Sequence, residues 1–154
     1  MPNLFPTENT VVETVNSGID EQQKIIGYRP SLYFDFEVGD FRRDGANRLI
    51  MSTGHEAWMQ WCIKCLSTQR YAYLAYPDTY GIDIEMVFNS TTRAEAENEL
   101  RRQITEALTA DPLERLNHIE SMTFNWIDDT SVEVDLVLVG IDGNTADFRA
   151  LVAA

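Results

Sequence analysis

Cys62-Ile63-Lys64-Cys65 has the C-x-x-C spacing of a redox pair, and with His55 and His118 the chain holds four residues of the zinc-ligating types. A redox pair needs a thiol at a helix start, where exposure and the helix dipole lower its pKa. Here Trp58, Trp61, Cys62, Cys65 and Leu66 fall at i, i+3, i+4, i+7 and i+8, which is one apolar stripe of a helix. A free cysteine in such a stripe behaves as a small buried hydrophobe, so core packing is the expected role. A four-ligand zinc site would consume both histidines. His55 lies seven residues before Cys62 and His118 is far along the chain. Both read as surface or boundary residues, and neither a metal nor a cofactor is expected.

"LSTQRYAYLAYPDTYG", residues 66–81, concentrates four of the six tyrosines behind Arg70. Aromatics interleaved with a base can stack single-stranded nucleic acid. Phosphate neutralisation, however, needs a basic footprint. The chain carries 12 Lys plus Arg against 25 Asp plus Glu, a formal net charge of −13. Its basic cluster is Arg42, Arg43 and Arg48, interrupted by Asp44. No nucleic-acid partner is therefore expected. The tyrosines read instead as a strand apolar on both faces, in the centre of a covered sheet. Truncating Tyr73 is then expected to cost ~3 kcal/mol or more, as large-to-small aromatic core changes do.

Carboxylates are abundant, but glycoside hydrolysis needs an acid and a partner at a defined separation. Glu56, Asp83 and Glu85 read equally well as solvated residues. The sequence has no G-x-S-x-G, P-loop, H-E-x-x-H or glycine-rich dinucleotide turn. No catalytic residue is assigned.

The elements that must position these residues suit one domain. At 154 residues the chain can bury a core without staples. It has no apolar run near the ~20 residues of a membrane span, and no membrane partner is expected. The start MPNLFPTENT lacks both parts of a signal peptide. Residues 1–30 read as an extended N-terminal arm, and residues 31–154 as the folded domain.

Within that domain, Phe34, Phe36 and Val38 alternate with Asp35 and Glu37 as in a half-buried strand, and "RLIM" follows as a second. Residues 55–67 form a first helix. Thr92 and Glu95 open a second with a capping box, and Ala96, Leu100, Ile104, Ala107 and Leu108 form its buried stripe. Glu97–Arg101 and Arg102–Glu106 are spaced for ion pairs along it. Met122, Phe124 and Trp126 begin a meander, Val132 to Leu138 continue it, and Asp142-Gly143 turns it. Ala146 to Val152 make the last strand. The expected fold is α+β: one mainly antiparallel sheet, two principal helices and a C-terminal β-meander.

The succession "FDFEVGDF", Gly54-His55-Glu56-Ala57, a Trp-bearing helix running into "LSTQRYAYLAY", "YGIDIE" and a capped helix ending "EALTADP" resembles the sheath initiators of contractile phage tails, tail-like bacteriocins and PBSX-type prophages. The resemblance covers about residues 31–141. Its most specific stretch runs from Thr68-Gln69-Arg70-Tyr71 to Tyr80-Gly81, and residues 1–30 show no such likeness. One departure lies after the second long helix. There the family often has an acidic residue, proline and arginine in succession, whereas this chain has Asp111-Pro112-Leu113-Glu114-Arg115.

The resemblance implies a structural baseplate protein. Its partners would be the sheath protein, baseplate wedge proteins and tail tube or hub proteins, in six-fold arrangement. The particle would assemble in the host bacterial cytoplasm. Sheath polymerisation would start by strand addition to an open sheet edge. The interface residues this implies are Asp111, Pro112 and Arg115 at the displaced turn, and Asp147, Arg149 and Leu151 on the last strand. Arg115→Ala is expected to leave the isolated subunit folded. The rival readings are a small lysozyme-like hydrolase and an acidic adaptor that binds a host protein.

Overall fold

The computed structural model describes residues 28–153; the arm expected over residues 1–30 lies almost wholly outside them. The chain from Ser31 to Ser52 folds into two small antiparallel pairs. Strand β1 (Ser31–Leu32) pairs with β4 (Met51–Ser52), and β2 (Phe34–Asp35) pairs with β3 (Asp40–Phe41). The long strand expected through Val38 is corrected here. The Asp35 carboxylate accepts the backbone N–H groups of Glu37 (3.0 Å) and Val38 (3.2 Å), and Gly39 N–H bonds the Asp35 carbonyl at 2.8 Å. A short acidic side chain that captures the following amides turns the chain and ends the strand.

Helix α1 (Gly54–Ser67) forms where the apolar stripe lies, with Ala57, Trp58, Cys62 and Cys65 buried. A short helix α2 (Ile84–Phe88) follows, its first turn capped by Asp83, which accepts from Met86 N. Helix α3 (Arg93–Thr109) has the expected capping box between Thr92 and Glu95, and Ala96, Leu100, Gln103, Ile104, Ala107 and Leu108 are buried. Its ion pairs differ from the spacing. Arg102 does pair with Glu106 at 3.0 Å. Glu97, however, accepts from Trp126 Nε1 at 2.8 Å, and Arg101 turns to the sheet. A partly buried indole N–H needs an acceptor, and Glu97 supplies it.

The C-terminal third is the expected meander. Strands β5 (Leu116–Trp126), β6 (Ser131–Gly140) and β7 (Thr145–Ala153) form one antiparallel sheet in the order β5-β6-β7. Strand β5 starts six residues earlier than the alternation from Met122 suggests, because two register shifts break its period before that point. The described residues thus hold three separate sheets instead of the single one expected. Val132, Val134, Leu136 and Leu138 on β6 meet Leu100, Ile104, Ala107 and Leu108 of α3 and Trp58, Cys62 and Cys65 of α1 in one core cluster. The architecture is α+β.

Residues 69–82 carry the largest correction. The tyrosine segment is a loop, not an inner strand: Tyr71 is 66% exposed, Tyr73 61% and Leu74 fully exposed. Tyr71 lies at φ 65°, a left-handed backbone that no strand residue adopts. The buried residue here is Arg70, which donates to the carbonyls of Gly81 (3.0 Å), Thr79 (3.3 Å) and Gln103 (3.4 Å) and to Glu106 (2.9 Å). Those bonds satisfy the loop from within, so the tyrosines need not be buried. Gly81 closes its base at φ 87°, where a Cβ would lie 2.5 Å from the Thr68 carbonyl oxygen. Of the segment's four tyrosines only Tyr80 is buried, with Tyr76 stacked on it at 4.3 Å.

Candidate functional site

The meander has two outer strands, and its hydrogen-bond parity shows what each offers. In an antiparallel pair, residues alternate between pointing both backbone groups at the partner and pointing both away. Gly140 N–H bonds the Asn144 carbonyl at 2.9 Å, and the register from Val139↔Thr145 to Ser131↔Ala153 is unbroken. Ala146, Phe148, Ala150 and Val152 therefore bond β6. Thr145, Asp147, Arg149, Leu151 and Ala153 point their N–H and C=O groups outward. The same parity from Ile127 N–H to the Ser131 carbonyl (3.1 Å) turns the backbone groups of Met122, Phe124 and Trp126 to the outer edge of β5.

The β5 edge is guarded. Arg101 donates to the Met122 carbonyl at 3.4 Å and stacks on Phe124 at 5.1 Å, while Arg93 stacks on Trp126 at 5.2 Å. Register shifts between Leu116 and His118 and between Ile119 and Ser121 also bend this strand. Both devices discourage pairing with another chain. The β7 edge carries neither. It is nine residues long, regular, and among the described residues pairs only with β6. Its outward side chains are exposed, while Phe148, Ala150 and Val152 are half-buried on the inner face.

The edge ends in a polar cluster beside the Asp142 turn. His55, in the first turn of α1, places Nε2 3.2 Å from the Thr145 carbonyl and Nδ1 3.5 Å from Asp142 Oδ2. Asp142 also accepts from Tyr28 Oη (3.0 Å), Asn144 N (3.0 Å) and Asn144 Nδ2 (2.8 Å). These hydrogen bonds hold its carboxyl below the usual range against the opposing effect of burial, and burial with the Asp142 bond pushes Tyr28 up to about 12. Gly140 makes room for this closure, since a Cβ there would overlap the Tyr28 hydroxyl. His55 read from the sequence as an ordinary surface or boundary residue; its position one turn before Trp58 is the signal, legible only once the hairpin is placed.

The other expected interface residues lie apart from this edge. Asp111 and Arg115 are both buried and bind each other through Arg115 Nε–Asp111 Oδ2 (2.7 Å) and Arg115 Nη2–Asp111 Oδ1 (3.0 Å); Pro112 is exposed. Arg115 also packs over Trp61 at 5.4 Å and borders a groove of about 650 Å³ shared with Leu32, Phe34 and Leu113. Removing one partner of a buried ion pair strands the other, so Arg115→Ala is now expected to cost the isolated subunit stability as well as any contact. On β7, Asp147, Arg149 and Leu151 share the outer face, with Arg149 held by Asp135 at 2.6 Å and Glu133 at 3.6 Å.

Cys62 and Cys65 are free and buried, and burial raises both thiols, Cys65 to about 11. His118 is exposed. No group of three or more His, Cys, Asp or Glu side chains among the described residues is placed to hold a metal. No described helix is long and apolar enough to cross a membrane.

No curated protein sequence matches the chain. The family described as contractile injection system sheath initiator matches residues 30–143. That span takes in the small β pairs, all three helices and the meander through the Asp142 turn. Members are structural components of a contractile tail or injection particle, working with sheath and baseplate components, and this is not an enzyme class. The match covers well over half of the chain, and the chain belongs to the contractile injection system sheath initiator family.

Proposed function

We propose that this protein links the baseplate wedge and tube to the first sheath layer and templates sheath polymerisation by accepting a strand at β7. Six copies ring the tube in this reading. The observation that carries it is the asymmetry of the meander: β5 is bulged and covered by Arg93 and Arg101, whereas β7 is regular and open. Backbone bonds on an open edge supply affinity and side-chain alternation supplies register. An open edge is otherwise an aggregation liability, and a net charge of −13 keeps free subunits apart before assembly.

The test is a proline on the edge. The N–H groups of Asp147 and Leu151 point away from β6, so Asp147→Pro and Leu151→Pro remove outward donors without breaking an internal ladder bond. Particles carrying either variant are expected to show baseplate and tube without attached sheath. Arg149→Ala keeps its donor and is expected to be milder, whereas Val134→Pro, in the central strand, unfolds the subunit. Normal sheath on correctly folded Asp147→Pro and Leu151→Pro particles places the template elsewhere.

A further inference from the structure

We infer that His55 sets the register of the strand that β7 accepts, and that this strand carries a basic residue opposite Asp147 and an apolar one opposite Leu151. The inference rests on the reading of β7 as the templating edge.

The outward backbone groups of β7 begin at Thr145, but its carbonyl is already taken. His55 Nε2 sits 3.2 Å from that oxygen, in the place where the N–H of an added strand would come. A further strand runs ~4.8 Å from its neighbour, so its backbone cannot share that space with the imidazole. The ring is fixed on several sides. It packs against Trp58 at 5.2 Å and Tyr28 at 6.3 Å, and Asp142 faces Nδ1. The first free outward pair of groups therefore belongs to Asp147, followed by Arg149, Leu151 and Ala153.

A fixed start determines which side chains meet. A one-residue slip would turn every side chain of the incoming strand to the wrong face. On the inner face the added strand lies beside Phe148, Ala150 and Val152, all half-buried, so its inward positions are apolar. On the outer face it meets Asp147, Arg149 and Leu151. Arg149 is already held by Asp135 and Glu133, which leaves little charge selection opposite it. Asp147 has no ion-pair partner among the described residues and selects a base, while Leu151, 63% exposed, selects an apolar side chain. Opposite charges directly across a strand pair stabilise it and like charges oppose it. The acidic net charge favours the approach of a basic segment in general.

The experiment follows amide hydrogen exchange by NMR on the full chain with synthetic strand peptides. The matched peptide alternates apolar inward residues with Lys opposite Asp147 and Leu opposite Leu151; the reversed peptide has Glu in place of that Lys. The matched peptide is expected to slow exchange at Asp147, Arg149 and Leu151 but not at Thr145. The reversed peptide binds about five-fold more weakly. Lengthening the matched peptide to reach Thr145 adds no affinity in the native protein, and in His55→Ala protection extends to Thr145. Protection of Thr145 in the native protein, or a gain from the longer peptide, overturns the His55 stop while β7 remains the edge. Equal binding of the two peptides overturns the charge selection. Protection of β5 amides, or of no β7 amide with either peptide, overturns the reading of β7 itself.

Discussion

Arg115 and Asp111 face each other across one tight turn, fork to fork, with Nε–Oδ2 at 2.7 Å and Nη2–Oδ1 at 3.0 Å, and both are almost fully buried. Asp111 additionally accepts the backbone N–H groups of Leu113 and Arg115. One carboxylate therefore shapes the turn after α3 and anchors the guanidinium over Trp61. The four-residue spacing from Asp111 to Arg115 lets the pair close on itself. We propose that any contact with neighbouring wedge proteins here is made by the exposed Pro112 and the groove rim, with Arg115 holding the turn from beneath.

Arg115→Ala is accordingly expected to lower the stability of the isolated subunit by ~3–5 kcal/mol, the cost of stranding a buried charge. Urea unfolding measures it. The double variant Asp111→Ala/Arg115→Ala should lose less than the sum of the two single changes, because each single change leaves the other group unpaired. Strict additivity, or a native midpoint for Arg115→Ala, would show that the pair contributes nothing to the fold.

Tyr73 and Trp58 give opposite expectations despite similar chemistry. Tyr73 is 61% exposed and touches Tyr76 edge-on at 5.9 Å, whereas Trp58 is fully buried. Tyr73→Ala should change stability by less than ~1 kcal/mol, and Trp58→Ala should cost ~3–5 kcal/mol. Thermal or urea denaturation of the two variants side by side decides it. A large loss at Tyr73 would place that side chain in the core after all.

The thiols predict a pH dependence with a definite sign. Burial raises Cys65 to about 11 and raises Cys62 as well, while an unfolded thiol ionises near ~8.5. Between those values the unfolded chain releases protons that the fold retains, so stability is full below about pH 8.5 and falls as pH rises. Cys65→Ala should flatten part of that decline between pH 8.5 and 11. Thiol labelling at pH 8 should be slow in the native protein and quick in urea. Rapid native labelling of both cysteines is the result that contradicts their burial.

The amino-acid sequence by itself determined the elements whose signals are local. The stripe Trp58 to Leu66 and the capping box Thr92–Glu95 specify α1 and α3, because side-chain spacing on a helix and an N-cap are decided within one or two turns. The alternation from Val132 to Leu138 and the Asp142-Gly143 turn specify β6 and its hairpin for the same reason. Tertiary structure decided the rest. Alternating apolar residues at 71–76 read as a strand, but the buried Arg70 satisfies carbonyls from Thr79, Gly81 and Gln103. A loop hydrogen-bonded through one guanidinium needs no neighbouring strand. The difference between β5 and β7 likewise has no local signature, since it depends on Arg101 and Arg93 reaching from α3 to one edge and His55 reaching from α1 to the other. Those contacts join residues 21 to 90 positions apart, and only the packing of helices against the sheet brings them together.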